Sequence, residues 1–261
     1  MNNKTTNIIA IANQKGGVGK TTTVINLATA MAACDKKTLI VDADPQGNAS
    51  TGFGIKYDER DKDLYSVICG KNDINKSIKN TLIPKLNIIP TSPNLSVLEQ
   101  ELVDVDEREF KIRDLIQDIN DIYDYIFIDC PPSLGLITLN ALCAAKFLIV
   151  PLQTEFYALE GLTQLMKTLD SIKNNFNNEI RLQGILLTMY DKRNKICEMV
   201  SNDVKNHFGD KVFKTIIPRN VRVSEAPSYG QPVLMYDISC PGSQAYASLA
   251  GEIINQEKDL K

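Results

Sequence analysis

A glycine-rich turn near the start of the chain constrains the fold more than any other feature. An apolar run at residues 8–12 leads into residues 13–23, which read NQKGGVGKTTT. Apolar residues then recur at positions i, i+3, i+4 and i+7 from Val24. This order predicts a strand, a tight turn and the first turn of a helix. Such a turn directs backbone N–H groups and the positive end of the helix dipole at one point, which favours phosphate binding.

The residues after the glycines complete a P-loop, with one irregularity. Lys20 supplies an ammonium group for the β- and γ-phosphates, and the hydroxyl of Thr21 is a ligand for Mg²⁺. The usual pattern has a glycine at position 14, where this chain has Gln14, and it does not require Lys15. Lys15 lies at the rim of a loop that Lys20 already serves. It is therefore better placed to reach a nucleotide on a facing subunit, much as an arginine finger does.

Apolar runs with β propensity alternate with segments of helical periodicity along the 261 residues. Several runs are nearly continuous in Ile, Leu, Val and Phe, which is typical of strands buried on both faces of a parallel sheet. We predict an α/β fold in one domain over residues 1–261, with a single doubly wound, mostly parallel sheet and helices on both faces. The predicted strands are 7–12, 38–41, 86–89, 125–128, 147–150, 182–188 and 212–217.

Acidic residues follow two of these strands, at the edge where such sheets bind ligands. Asp42 and Asp44 are two residues apart, so both point to one face while the chain stays extended. One carboxylate would order the Mg²⁺ shell and the other would orient the attacking water. Asp129 ends the run 125–128, as a Walker B carboxylate does, and is predicted to bind Mg²⁺ directly or through water. Each also fits an ordinary turn residue, and the P-loop favours the catalytic interpretation.

Charge is distributed unevenly along the chain. Residues 192–222 contain eight basic and three acidic residues, although the whole chain has a net charge of −3. One face is therefore predicted to bind a polyanion, while a solvated face of mixed charge remains the alternative. No apolar run approaches the roughly 20 residues that span a bilayer. His207 is the only histidine, which argues against histidine-based triads and metal sites.

Five ordered motifs resemble those of the ParA/Soj branch of the ParA/MinD group of ATPases, and the resemblance covers about residues 7–250. The motifs are KGGVGKTT at 15–22, VDADPQGN at 41–48, IDCPPSLG at 128–135, EFYALEGL at 155–162 and IPRNVRVSEAPS at 217–228.

The resemblance implies ATP and Mg²⁺ as cofactors and gives roles to individual residues. Lys15 would contact the phosphates of the partner subunit's ATP, and Asp44 would position water for hydrolysis. Pro218 and Asn220 would lie beside the adenine. The nucleotide would be cradled by Gly16, Gly17, Val18, Gly19, Lys20, Thr21 and Thr22, with Thr21, Asp129 and Asp42 at the metal.

The resemblance also implies partners. ATP would hold two subunits together as a homodimer, and the dimer would bind double-stranded DNA without sequence preference through Arg193, Arg219 and Arg222. A ParB/Spo0J-like protein would stimulate slow hydrolysis during chromosome or plasmid partitioning, in the cytoplasm on the nucleoid. Only about a dozen residues precede the P-loop, so we expect no N-terminal helix-turn-helix domain.

Three alternatives are weighed against this interpretation. A MinD-like membrane ATPase needs a C-terminal amphipathic helix with a basic face, whereas the tail 246–261 has a short apolar stripe and mixed charge. We expect that tail to pack on the core rather than on a membrane. An electron-transfer protein like the nitrogenase iron protein would need a second cysteine in a context that matches Cys130, and no other cysteine of the sequence lies in such a context. A biosynthetic ligase would need a substrate pocket, for which no motif is left over.

Overall fold

A computed structural model describes residues 6–259, so residues 1–5 and 260–261 of the predicted domain lie outside the described part. Seven strands in that part form one sheet. They are β1 Asn7–Ile11, β2 Thr38–Asp42, β3 Lys79–Asn80, β4 Leu86–Ile89, β5 Tyr125–Asp129, β6 Phe147–Gln153 and β7 Arg181–Thr188. Their order is β3-β4-β2-β5-β1-β6-β7, and every neighbouring pair is parallel except β3 with β4.

Helices lie between the strands along the chain. The α-helices are α1 Lys20–Ala33, α2 Asn48–Gly52, α3 Leu64–Ile68, α4 Ile74–Ser77, α5 Leu98–Glu101, α6 Lys111–Gln117, α7 Leu136–Ala144, α8 Ala158–Asn175, α9 Lys195–Phe208, α10 Val221–Glu225, α11 Val233–Tyr236 and α12 Pro241–Asp259. Short 3₁₀ segments are Tyr57–Glu59, Pro93–Val97, Arg108–Phe110, Asn120–Ile122, Gly209–Lys211 and Ala226–Tyr229.

The sheet separates two hydrophobic cores, which confirms the predicted doubly wound fold. Successive side chains of a strand point to opposite faces, so Ile8 and Ala10 of β1 enter one core while Ile9 and Ile11 enter the other. Residues of α6, α7, α8 and α9 complete the first core, and residues of α1 and α12 complete the second. Both faces of the central strands are therefore buried.

The C-terminal helix packs on the core, as the sequence predicts for this tail. Tyr246, Leu249, Ala250 and Ile253 of α12 are fully buried, and α12 lies against α1. Its apolar stripe is thus used within the fold. Among the described residues, we find no helix with the length and hydropathy that crossing a membrane requires.

The prediction of a strand at 212–217 is wrong. The segment runs beside β7, but it pairs with the strand through one isolated bridge, Val212 with Ile185, and through hydrogen bonds from the N–H groups of Phe213 and Ile217. The backbone N–H groups of Lys214 and Thr215 donate instead to the carboxylate of Glu252 on α12, at 2.7 and 2.9 Å. A side chain therefore takes donors that a regular ladder would use.

The parallel topology brings the predicted chemical residues to one edge of the sheet. β1, β5 and β2 are neighbours, and Asp129 at the end of β5 is in register with Ile11 and with Asp42. The loop after β1 therefore begins beside both carboxylates. This edge holds the candidate site.

Candidate nucleotide site

The glycines of the P-loop adopt the conformations that their sequence positions require. Gly17 and Gly19 have φ angles of 73° and 90°, in the left-handed region where a side chain is disfavoured. Gly19 is the N-cap of α1, and no side chain caps that helix end. The first N–H groups of α1 thus stay available to an anion at its positive end.

Two polar side chains hold the P-loop in place. The amide of Asn13 donates to the Pro151 carbonyl at 2.7 Å and accepts from the backbone N–H of Lys15 at 3.0 Å. The hydroxyl of Thr188, at the end of β7, donates to the Val18 carbonyl at 2.8 Å. Neither residue has a role predicted from the sequence. The buried Asn13 within the motif was an available signal, whereas Thr188 is 170 residues from its partner and carried none.

Lys20 is buried within the loop, where the sequence predicts that it contacts phosphate. Its side chain is 6% exposed, and its ammonium donates to the Lys15 carbonyl at 3.1 Å. Burial lowers the pKa of Lys20, and the negative charges of Asp129 and Asp44 oppose that shift. A phosphate group would supply a stronger counter-charge at the same place.

Asp129 is a buried carboxylate whose oxygens have no hydrogen-bond partner. It is fully buried at the end of β5, and both Oδ1 and Oδ2 lack a donor. Burial raises the pKa of Asp129 well above its usual range, the charge of Asp42 adds to the shift, and the nearby Thr21 hydroxyl opposes it. Open carboxylate oxygens beside a hydroxyl and a phosphate site suit Mg²⁺, which is usually held by one or two carboxylates and by substrate phosphates.

Asp42 differs from Asp129 because its carboxylate is already bonded within the chain. Its Oδ2 accepts from the backbone N–H and hydroxyl of Ser50 at 2.8 and 2.6 Å, and its Oδ1 accepts from the N–H of Asp44 at 3.4 Å. Burial raises the pKa of Asp42 to about 6. These bonds hold α2 against β2, and the metal role of Asp42 stays a prediction.

Asp44 follows β2, two residues after Asp42, and lies near the charged groups of Lys20 and Asp129. It is 7% exposed, its Oδ1 accepts from the N–H of Gln46 at 3.0 Å, and its charge acts on both Lys20 and Asp129. Across the described residues, no group of three or more His, Cys, Asp or Glu side chains is arranged to hold a metal ion. A metal here would therefore depend on phosphate oxygens and on Thr21 as well as on carboxylates.

A cavity of about 190 Å³ adjoins the start of α1. Gly19 and Thr22 line it from the P-loop side, and Pro218 and Asn220 line it from the opposite side. The Asn220 side chain also caps α10 by accepting from the N–H of Arg222 at 2.9 Å. The fold thus brings Pro218 and Asn220 to the P-loop, while their contact with adenine stays a prediction.

Comparisons with known proteins agree with this geometry. A family described as an AAA domain matches residues 6–182. The chromosome partitioning protein ParA of Caulobacter vibrioides (strain NA1000) is 53% identical over 254 residues, which cover 97% of this chain and 95% of the relative. The chromosome-partitioning ATPase Soj of Treponema pallidum is 47% identical, with 95% and 97% covered. The chain belongs to the ParA/Soj family of ATPases.

A solved structure adds a nucleotide complex to the ParA/Soj relatives. The structure described as cobyrinic acid a,c-diamide synthase from Mycobacterium smegmatis, with bound ADP and magnesium, superposes with a TM-score of 0.87. It is 30% identical, and the match covers 98% of this chain and 97% of that one. A protein with this fold therefore binds a nucleotide and magnesium.

The lysine that distinguishes the ParA/Soj P-loop is paired within its own subunit. The ammonium of Lys15 forms an ion pair with the carboxylate of Glu155, two residues beyond the end of β6. The two side chains are 51% and 46% exposed. Lys15 thus lies on the outer side of the loop, whereas Lys20 points into it. Glu155 begins the sequence motif EFYALEGL, and no role for it was predicted from the sequence.

The basic segment of this ParA/Soj chain lies on the surface, and its eight Lys and Arg residues are all exposed. Lys192, Arg193, Lys214 and Arg219 line one groove of about 660 Å³. Arg222 does not line this groove. The predicted DNA contacts therefore divide between the groove and α10.

Two of these arginines have acidic partners. The Arg193 guanidinium makes two hydrogen bonds to Asp191, of 3.0 and 2.9 Å, and together with the bond from the Arg193 N–H they lower the pKa of Asp191 to about 2. Arg222 pairs with Glu225 at 3.0 Å. Both arginines are exposed and their partners are half-buried, so phosphate groups can compete for the guanidinium ions.

Proposed function

We propose that this chain is a partitioning ATPase that dimerises with ATP, binds double-stranded DNA without sequence preference, and releases it after hydrolysis. A ParB/Spo0J-like protein would stimulate that hydrolysis, in the cytoplasm on the nucleoid. We also propose that residues 1–261 fold as one domain. One observation carries the proposal: Pro218 and Arg219 line both the cavity beside the P-loop and the basic groove. A nucleotide in the first therefore contacts the wall of the second.

The charged side chains of Lys20, Asp44 and Asp129 support the proposal that the chain hydrolyses a nucleoside triphosphate. Mg²⁺, held by Asp129 and Thr21, would neutralise charge on the phosphates when bound. Lys20 would contact the β- and γ-phosphates, and Asp44 would orient the attacking water. Phosphoryl transfer needs little beyond such positioning and charge compensation. We expect slow turnover, because one subunit alone leaves the outward-facing Lys15 unused.

The position of Lys15 supports the proposal that the chain dimerises. Its ammonium lies outside the loop that Lys20 serves, where a nucleotide of a second subunit is within easier reach than its own. A cation supplied in trans stabilises charge on the transferring phosphoryl group, as arginine fingers do. We therefore expect ATP, with its γ-phosphate, to favour the dimer more than ADP does.

The exposed arginines support binding to the DNA backbone. Contacts of Arg193, Arg219 and Arg222 with phosphates are blind to base sequence and sensitive to salt. One subunit offers a weak site, and a dimer doubles it, so that dimerisation would switch binding on. Partition relatives reach 53% identity, compared with 30% for the diamide synthase, which favours partitioning over synthesis.

The test is binding to two unrelated DNA duplexes with ATP and Mg²⁺, with ADP and Mg²⁺, and without nucleotide. We expect strong binding only with ATP, and equal affinity for both duplexes. Fluorescence anisotropy at a fixed moderate salt concentration measures it. Equal binding in all three nucleotide states, or a preference for one duplex, would contradict the proposal.

A further inference from the structure

The ion pair between Lys15 and Glu155 joins two segments whose positions are also held by other hydrogen bonds. Asn13 bonds both the backbone of Lys15 and the carbonyl of Pro151 in β6, so it ties the P-loop rim to that strand. Glu155 follows the same strand, and its own N–H donates to the Gln153 carbonyl at 2.8 Å. The carboxylate therefore stands at a defined place beside the ammonium, rather than on a free loop.

The Glu155 carboxylate is paired with the Lys15 ammonium, which in the proposed dimer would contact the nucleotide of the second subunit. The Lys15 side chain has one described ionic partner, which is this carboxylate, and it lies outside the pocket of its own nucleotide. An exposed ion pair of this kind is weak, and a triphosphate carries more negative charge than one carboxylate. The two anions thus compete for one cation, and the triphosphate is the stronger competitor.

We propose that Glu155 is an intramolecular counter-ion that holds Lys15 in the isolated subunit and must release it before Lys15 reaches the triphosphate of a second copy. The inference rests on the proposed function, because it requires Lys15 to act in trans. Glu155 is a positioning residue in this scheme. It sets how much nucleotide and protein the chain needs before it dimerises.

The experiment measures the dimer dissociation constant by sedimentation, with Mg²⁺ and a non-hydrolysable ATP analogue. Glu155→Gln keeps the shape of the side chain and removes its charge. We expect the dissociation constant to fall about two- to five-fold, as the loss of one exposed ion pair predicts. Glu160→Gln, on the exposed first turn of α8, is the matched control and should leave the constant unchanged.

A second pair of variants separates this contact from a general charge effect. In a Lys15→Ala background, Glu155→Gln should leave the dissociation constant where Lys15→Ala alone puts it. Glu155→Ala should reproduce the direction of Glu155→Gln, and the affinity of these two single variants for ADP should equal that of the wild type. Circular dichroism on the same samples reports folding.

Three results would overturn the inference while leaving the proposed function intact. The first is a wild-type dimer that Glu155→Gln does not alter. The second is a weaker dimer, which would mean that Glu155 contacts the partner subunit instead. The third is an equal gain in the Lys15→Ala background. A wild-type chain that stays monomeric with the analogue would overturn the proposed function as well.

Discussion

The carboxylate of Asp129 is buried at a cost to stability that its proposed role at the metal would explain. Its two oxygens are buried without donors, and it shares its surroundings with Asp42, Asp44 and a single buried ammonium, that of Lys20. An uncompensated carboxylate is costly inside a protein. If Asp129 holds Mg²⁺ as proposed, the bound ion would offset this cost, so the cost in the free protein would accompany readiness for the ligand.

Asp129→Asn should therefore stabilise the nucleotide-free protein and abolish its stabilisation by Mg²⁺ and ATP. Removing the buried charge is worth about 1–3 kcal/mol in the free energy of unfolding. Urea unfolding with and without Mg²⁺ and ATP measures both effects, with the exposed Asp58→Asn as control. A variant that is less stable without ligand, or that keeps its stabilisation by Mg²⁺ and ATP, would contradict the role given to Asp129.

Asp44→Ala should stop hydrolysis while ATP remains bound. The one described hydrogen bond of the Asp44 side chain is from the Gln46 N–H on its own loop, so alanine would remove the proposed water-positioning group and leave the P-loop intact. We expect the turnover rate to fall by at least about 100-fold, as for loss of a positioned base. Phosphate release measures the rate, and the nucleotide retained after gel filtration reports binding. Turnover at the wild-type rate would refute the assignment.

Local motifs and distant contacts differ in how far the sequence predicts them. The placement of the P-loop lysine and of the strand-end carboxylates was predictable because each lies in a motif of a few consecutive residues, whereas their roles stay predictions. The partner of Asp42 was not, because Ser50 reaches it only once α2 has folded back. The support of the P-loop by Thr188 also depends on a strand that follows 170 residues later. Such contacts follow from the topology.

At the level of secondary structure, burial decided which predictions were right. The six buried strands of the prediction form, because continuous apolar runs suit a parallel sheet covered on both faces. The segment 212–217 is largely apolar and lies beside β7, but Glu252 accepts hydrogen bonds from the N–H groups of Lys214 and Thr215. The two-residue β3 was missed because Lys79–Asn80 is short and polar. Apolar composition therefore predicts burial here better than it predicts strand pairing.

Gly184→Ala should destabilise the edge formed by β7. An added Cβ at Gly184 would lie 2.6 Å from the ring of Phe213, which is itself buried. Overpacking of this kind costs about 1–3 kcal/mol. Gly161→Ala is the control, because nothing lies within 4 Å of that position in α8 and alanine favours helix by up to about 1 kcal/mol. Thermal unfolding should show opposite shifts, and equal melting temperatures would contradict the packing argument.

For the whole molecule, the important relation is between the nucleotide cavity and the basic groove. They share Pro218 and Arg219, on the segment that leaves the edge of β7 and leads into α10. A change at the phosphates of a nucleotide in the cavity would therefore have a short path to the arginines proposed to contact DNA. Arg113 lies far from this path, in a cavity at the amino ends of β1 and β6 with Ile8 and Lys146. The candidate DNA surface and the control residue Arg113 therefore lie at opposite ends of the strands of the sheet.

The salt dependence of DNA binding tests that relation. If three arginines per subunit contact phosphates, the ATP-bound dimer neutralises about six, and log K should fall with log salt at a slope of roughly −5. Arg193→Ala removes two contacts per dimer, so the slope should become shallower by about 2, because Arg193 is 90% exposed and bound only to Asp191. Arg113→Ala should leave the slope unchanged. An unaltered slope in Arg193→Ala would remove the groove from the DNA surface, whereas an equal loss in both variants would indicate a general effect of net charge.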